Sequence, residues 1–172
     1  RSRSTRYTDA GVVMIESTIY ATKEQRAAWP RQAARLVRQF PRLFDADDLR
    51  LTRTQPRNHF SEWFAAIHLF AGTGVRSLVQ KYVFDDAHPR KAEALRAILD
   101  LDECKRLRAL CDRNGCQPPD LLLFDARMKL AGFAEVKGPG DRLKPAQKRL
   151  LPALERGFGV PVQVIHVRIV AG

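Results

Sequence analysis

Apolar residues that recur every three or four positions predict several helices along the chain. The clearest pattern covers residues 58–72, where Gly72 and Gly74 are typical of a helix end. Weaker patterns of the same kind predict helices at residues 22–39, 89–99, 102–113 and 144–156. Thr22 followed three positions later by Gln25 is typical of a helix start, and Pro30 predicts a kink or a division into two shorter helices.

Other stretches are apolar without helical spacing, which is typical of strands. They are residues 12–20, 119–124, 132–137 and 160–170. The two middle stretches are close enough along the chain to pair as a hairpin. Residues 75–84 fit either a strand or a continued helix. The polar segment 45–57, which contains Pro56, predicts a loop.

Together these elements predict an α/β fold with a mixed central sheet flanked by helices. We expect three segments: a disordered basic tail at residues 1–9, a helical N-terminal extension at 10–57, and one globular domain at 58–172. A chain of 172 residues is long enough to bury one hydrophobic core.

Charge narrows the choice of partner. The net charge is +11 and the isoelectric point about 10.2, so we expect the chain to bind a polyanion. We rank nucleic-acid binding above the alternative that the charge serves only to keep the protein soluble. No apolar run approaches the ~18 residues that span a bilayer, so we expect no membrane partner. No apolar signal stretch follows the basic N-terminus, so we expect an intracellular protein. It would be either cytoplasmic, in association with a bacterial or phage nucleoid, or nuclear.

The cysteines predict neither disulfides nor a zinc site. Cys104, Cys111 and Cys116 are odd in number, and no closely spaced cysteine pair or neighbouring histidine accompanies them. We expect buried free thiols.

The candidate chemistry lies on the predicted hairpin. Glu135 and Lys137 are two positions apart on a strand and therefore share one face, and Asp120 at the start of the neighbouring strand can lie beside them. Two carboxylates ~4 Å apart repel by roughly 4 kcal/mol at an effective dielectric of ~20, and Lys137 offsets only part of this. Oxygen ligands suit Mg²⁺ or Mn²⁺. A buried ion pair, or three unrelated surface residues, is the alternative.

These residues carry a resemblance to a known family. The stretches "PPDLLLF" and "FAEVKGPGDRL", followed by a helix with Gln147, resemble the core of the PD-(D/E)XK nucleases, and most of all the VRR-NUC branch. That branch includes the nuclease domain of the Fanconi-associated nuclease and stand-alone bacterial and viral relatives. The resemblance covers roughly residues 117–168 and implies a restriction-endonuclease-like core.

The resemblance implies metal-dependent hydrolysis of phosphodiester bonds. Asp120, Glu135 and the carbonyl of Val136 would hold the metal, and Lys137 would position the attacking water. The superfamily usually adds an acid on an upstream helix. Our candidate is Glu62, with Glu16 as the runner-up. Gln147 would face the site, although a solvated glutamine is an equal alternative.

Two basic sets are candidates for contacts to phosphates. The first is Arg142, Lys144, Lys148 and Arg149, and the second is Arg76, Lys81, Arg90 and Lys91. No sequence-reading DNA motif appears, so we expect binding to DNA independent of sequence. The family suggests flapped, branched or junction DNA in repair or recombination, with a helicase or repair partner possible. RNA as substrate, an inactive DNA-binding module, and the oligomeric state stay open.

Overall fold

The computed structural model describes residues 3–9, 12–41, 43–44, 46–55, 58–80, 82 and 88–172, with backbone alone for residues 3–9 and 12–13. These residues form a sheet of six strands: β1 (Arg3–Asp9), β2 (Val12–Thr22), β3 (Arg76–Val79), β4 (Leu121–Phe124), β5 (Leu130–Lys137) and β6 (Val162–Val170). The order is β1-β2-β6-β5-β4-β3. Strand β6 runs parallel to β2 and β5, and the other neighbours are antiparallel.

Helices cover both faces of this sheet. They are α1 (Lys23–Gln39), α2 (Ala46–Thr54), α3 (Phe60–Thr73), α4 (Pro89–Ile98), α5 (Leu101–Asn114) and α6 (Pro145–Phe158). One core contains Trp29 and Trp63 from α1 and α3 against Val136 of β5. The other contains Leu107 and Leu151 from α5 and α6 against the opposite sheet face. The predicted α/β class, a mixed sheet flanked by helices, is confirmed.

Local signals fixed several helix ends as predicted. Thr22 and Gln25 form a reciprocal capping box at the start of α1, with backbone-to-side-chain bonds of 2.8 and 3.1 Å. Gly74 ends α3 in the left-handed conformation, at φ 75°. The predicted division at Pro30 is wrong, because α1 runs through it as one helix. Pro30 is exposed, so its ring and the missing backbone hydrogen bond lie at the solvent face.

The segment predicted as a loop contains a helix. Residues 46–54 form α2, with Asp47 and Asp48 in its first turn, where negative charge complements the helix dipole. Leu51 and Thr52 are buried on its inner face. The loop prediction followed the polarity of the segment and missed this narrow apolar face, which stabilises α2 only through contact with the rest of the core.

The N-terminal segments belong to the sheet. Residues 3–9, expected to be a disordered tail, pair with β2 in antiparallel register from Arg3↔Thr18 to Asp9↔Val12. The helical extension expected at 10–57 begins with β2, which lies parallel to β6 from Ile15 onward. For the open segment 75–84, the structure has strand β3 over Arg76–Val79.

The predicted hairpin of β4 and β5 is confirmed, with Leu121 opposite Ala134. Gly132 allows β5 to approach the chain entering β6. Its φ is 153°, and a Cβ atom at this position would lie 2.5 Å from the carbonyl oxygen of Pro161. Only glycine permits this approach, which fixes where β5 meets β6. Within the described residues, no helix is long and apolar enough to cross a membrane.

Candidate active site

The hairpin register brings Asp120, Glu135 and Lys137 together as predicted. Because Leu121 pairs with Ala134, Asp120 lies beside Glu135 at the next position. Glu135 and Lys137 are 4% and 7% exposed, on the sheet face covered by α5 and α6. Asp120 is half-buried. The strands thus place two acids and one amine at one rigid point of the sheet.

Gln147 closes this cluster from α6. The Lys137 ammonium donates to Glu135 Oε1 at 2.8 Å and to Gln147 Oε1 at 3.0 Å, and the Gln147 amide donates to the same Glu135 oxygen. Gln147 Oε1 also accepts the backbone N–H of Lys144 at 2.9 Å. Gln147 therefore faces the cluster, and the solvated alternative does not hold.

The carboxyl groups of Asp120 and Glu135 are close enough for their charges to interact unfavourably. Asp120 Oδ2 accepts the N–H of Val136 at 2.8 Å. The Asp120 carboxyl group also lies close to that of Glu135, so its negative charge opposes ionisation of Glu135. Burial and then the Asp120 charge raise the pKa of Glu135 from 4.5 to about 7. Burial likewise raises the pKa of Asp120.

The upstream acid beside this pair is Glu62. It lies in the first turn of α3, where Glu62 Oε1 accepts the Gln80 side-chain amide at 2.7 Å. Burial, followed by the charges of Asp120 and Asp141, raises the pKa of Glu62 to about 6. The runner-up, Glu16, is on β2 and interacts with His166 at 3.7 Å, with β6 between it and Glu135. The geometry therefore favours Glu62 as the third acid.

The donor set suits a hard divalent cation. Carboxylate and carbonyl oxygens are what Mg²⁺ and Mn²⁺ prefer. A cation between the acids would also offset the charge of Asp120, which, after burial, raises the pKa of Glu62 and of Glu135. Within the part of the chain that the structure describes, no three carboxylate, histidine or cysteine side chains are already arranged as a metal cage. In this arrangement the Lys137 ammonium offsets the charge of Glu135 through their ion pair, and Gln147 hydrogen-bonds to both groups.

Sequence reasoning missed Gln80 and Tyr82, which hold the start of β4. The Gln80 N–H donates to the carbonyl of Asp120 at 2.7 Å. The buried Tyr82 hydroxyl donates to the carbonyl of Pro119 at 2.7 Å. Neither residue has a spacing or motif that would have identified it, because both contacts join positions 37 to 40 residues apart in the chain.

Lys91, predicted to contact DNA, is instead a buried structural residue. It is 1% exposed and forms an ion pair with Asp48 at 2.7 Å. Its ammonium also donates to the carbonyls of Val79 and Gln80. Lys91 lies on the same helical face as Leu95, and this spacing is the signal that could have revealed its burial.

The other basic residues are distributed unevenly around the cluster. Arg142, Lys144, Lys148 and Arg149 are exposed. Burial raises the pKa of the Cys116 thiol, and the nearby charges of Lys144, Lys137 and Arg149 oppose part of that rise, which places Lys144 and Arg149 near the cluster. Arg90 is exposed and Arg76 half-buried. Lys81 lies outside the described residues.

A cleft of about 280 Å³ opens beside the cluster. It is lined by Glu62, Val136 and Asp141 together with Arg26 and Trp29 of α1. Arg26 was not anticipated, because the N-terminal segment was treated as a separate extension. The cleft gives Glu62 access to solvent and to a ligand, whereas Asp120, Glu135 and Lys137 lie outside its lining.

The cysteines are free thiols, as predicted, but only Cys111 is fully buried. Burial raises the pKa of Cys111 to about 12, which makes it an unreactive core residue. Cys104 and Cys116 are half-buried.

A mixed sheet that presents Pro-Asp and Glu-x-Lys on adjacent strands defines a nuclease fold of the PD-(D/E)XK class. The family model described as the VRR-NUC domain matches residues 71–169, more than half of the chain. The chain therefore belongs to the VRR-NUC family, and the predicted membership is confirmed. The match spans β3 to β6 and does not include Glu62.

No curated protein matches the chain. Among solved structures, the chain is similar to paFAN1 bound to 1nt 5′ flap DNA with gap, at 16% identity and a TM-score of 0.43, covering 83% of this chain and 47% of that one. It is also similar to paFAN1 bound to 2nt 5′ flap DNA with gap, at 23% identity and a TM-score of 0.33, covering 74% and 25%. The chain thus spans less than half the length of either.

Proposed function

We propose that this chain is a divalent-metal-dependent deoxyribonuclease that hydrolyses phosphodiester bonds in flapped, branched or junction DNA. The observation that carries the proposal is the cluster of half-buried Asp120 with buried Glu135 and Lys137, held by the hairpin inside the region that matches the VRR-NUC family. The preference for branched DNA, a role in repair, and a helicase or repair partner are expectations from the family.

The acidic side chains would supply oxygen ligands for the metal ion. Glu62, Asp120 and Glu135, with the carbonyl of Val136, would hold Mg²⁺ or Mn²⁺. The bound cation would acidify a water molecule and offset negative charge on the phosphate. The raised pKa values of Glu62 and Glu135 support this assignment, because acids that repel each other when empty are the ones that a cation stabilises most.

Lys137 contributes a fixed positive charge. Hydrogen bonds to Glu135 and Gln147 hold its ammonium at the sheet surface, so little side-chain freedom is lost when substrate binds. From this position it would orient the attacking water and stabilise the negative charge that develops on the phosphoryl oxygens. Gln147 acts on Lys137 and Glu135 and is therefore a positioning residue.

Exposed cations beside the cluster would bind the DNA backbone. Arg142, Lys144, Lys148 and Arg149 surround the start of α6, and Arg26 lines the cleft next to Glu62. Contacts of this kind neutralise phosphates without reading bases, so affinity would fall steeply with salt and depend little on sequence. Arg76 and Arg90 are further candidates, whereas Lys91 is excluded by its burial.

The test is cleavage of labelled duplex, single-stranded, flapped and four-way-junction DNA, with an RNA strand alongside, in Mg²⁺, Mn²⁺ or EDTA. We expect cleavage only with metal. Asp120→Ala, Glu135→Ala and Lys137→Ala should each lower the rate at least about 100-fold while DNA binding persists. Lys129→Ala is the matched control, because Lys129 is an exposed residue just before the opposite end of β5.

Each result leads to a definite conclusion. Cleavage that persists in all three variants contradicts the proposal. DNA binding without cleavage under every metal identifies the chain as an inactive DNA-binding module on a nuclease fold. Faster cleavage of the RNA strand than of any DNA moves the substrate class from DNA to RNA.

A further inference from the structure

We infer that Gln80 is a positioning residue that fixes Glu62 against Asp120, and that its strained backbone is maintained for this purpose. The inference rests on the proposed function, since it concerns how the acids of that site are held. Gln80 follows β3 and contacts two acids, Glu62 of helix α3 and Asp120 immediately before strand β4.

Gln80 joins the two acids through separate groups. Its side-chain amide donates to Glu62 Oε1 at 2.7 Å, and its backbone N–H donates to the carbonyl of Asp120 at 2.7 Å. The Gln80 side chain also lies near the Asp120 carboxyl group. One residue therefore sets the orientation of Glu62 and the position of the chain that carries Asp120.

The backbone of Gln80 is in the left-handed region, at φ 48°. This conformation is uncommon for a residue with a side chain of this kind, and glycine or asparagine adopts it at lower cost. A turn that required only the change of direction would be satisfied by glycine. The glutamine side chain at this position therefore points to a use for the side chain, and the use visible in the structure is the bond to Glu62.

Surrounding contacts maintain the strained turn. Lys91 donates to the carbonyl of Gln80 at 3.3 Å and also to that of Val79. Lys91 is itself fixed by its ion pair with Asp48 at 2.7 Å, and both side chains are buried. Both backbone groups of Gln80 are thus bonded, one to Asp120 and one to Lys91, so the turn is held from two sides.

Glu62 needs such a tether more than the hairpin acids do. Asp120 and Glu135 are placed by the ladder between β4 and β5, whereas Glu62 comes from α3, on the other side of the sheet. Its carboxylate is also opposed by the charges of Asp120 and Asp141. The Gln80 amide offsets that repulsion and holds Glu62 toward the cluster.

The experiment compares Gln80→Gly with Met128→Gly. Glycine at position 80 keeps the left-handed backbone and removes only the side chain. Met128 is the matched control, because it is also left-handed, at φ 61°, and lies in the turn between β4 and β5 away from the acids. Mn²⁺ binding is measured without DNA, by calorimetry and by the electron paramagnetic resonance signal of free Mn²⁺. Cleavage is measured against Mn²⁺ concentration, and unfolding temperature is recorded for all three proteins.

We expect Gln80→Gly to bind Mn²⁺ about 10- to 100-fold more weakly, with an unfolding temperature equal to or above that of the unmodified chain. Met128→Gly should bind Mn²⁺ as the unmodified chain does. Unchanged Mn²⁺ affinity and cleavage in Gln80→Gly overturn the inference and leave the proposed function intact. A lowered unfolding temperature that accounts for the lost activity also overturns it, because Gln80 would then be structural. If the unmodified chain neither binds Mn²⁺ nor cleaves DNA, the result refutes the proposed function, and with it the inference that rests on that function.

Discussion

Replacing Asp120 with asparagine is expected to stabilise the metal-free protein and to abolish cleavage. The substitution removes one negative charge from the buried pair of Asp120 and Glu135, while the asparagine oxygen can still accept the N–H of Val136. Lys137 keeps its ion pair with Glu135. The change therefore isolates the repulsion between the two acids.

The magnitude follows from the pKa of Glu135. Its rise from 4.5 to about 7 corresponds to about 3 kcal/mol above pH 7, at ~1.4 kcal/mol per pKa unit. Burial is the largest cause and Asp120 the next, so removing the Asp120 charge should recover the smaller share, about 1 to 2 kcal/mol. For a chain of this size the expected rise in Tm is about 2 to 8 °C.

The sign depends on pH. Because the folded pKa of Glu135 lies above its unfolded value, the folded state binds its proton more tightly, and this carboxyl group destabilises the fold only when ionised. That unfavourable contribution is absent below pH ~4.5, grows as pH rises, and is complete above pH ~7. The gain from Asp120→Asn should therefore be larger at pH 8 than at pH 5.

The assay is urea unfolding in EDTA at pH 5 and pH 8. Asp125→Asn is the control, since Asp125 lies at the other end of β4, where backbone N–H groups lower its pKa, so its loss should not stabilise the protein. With Mn²⁺ at about 100 times its Kd, the unmodified chain should gain about 3 kcal/mol and Asp120→Asn little, which reverses their order. No gain at pH 8, or an equal gain at pH 5, would refute the reasoning.

Three further predictions concern the ion pair, the hairpin glycine and the acids. Lys91→Met should cost about 3 to 5 kcal/mol by urea unfolding, because Asp48 loses its buried cation, and adding Asp48→Leu should recover most of the loss; an equal loss in both variants contradicts this. Gly132→Ala should cost at least about 3 kcal/mol by thermal unfolding, because its Cβ would overlap a backbone oxygen, whereas Gly140→Ala, at φ 83° in open space, should cost about 1 kcal/mol. Mn²⁺ affinity by calorimetry should fall about tenfold between pH 8 and pH 6, because protons compete for Glu135, whose pKa is about 7; affinity independent of pH would exclude Glu135 as a ligand.

The sequence by itself determined the hairpin, most of the helices and the three central site residues. These features depend on positions close along the chain. Alternation places Glu135 and Lys137 on one strand face, and the short connection to β4 leaves Asp120 few positions other than the one beside them. The capping box of Thr22 and Gln25 is equally local. Short-range spacing was therefore sufficient to place the core of the site, and the resemblance of these motifs to a known family predicted the family.

Only the tertiary structure decided how distant segments complete the site. The apolar face of α2 stabilises this helix only by packing against core residues from other segments of the chain. The sequence pattern predicts a surface cation at Lys91, and only the fold places Asp48, 43 positions earlier, beside it as a buried ion pair. Gln80 has an ordinary sequence context, and its left-handed backbone and its bond to Glu62 exist only once α3 and β3 meet at the sheet edge. Burial, charge pairing and backbone strain depend on which residues are neighbours in three dimensions. A pattern along the chain does not show which distant residues those neighbours are.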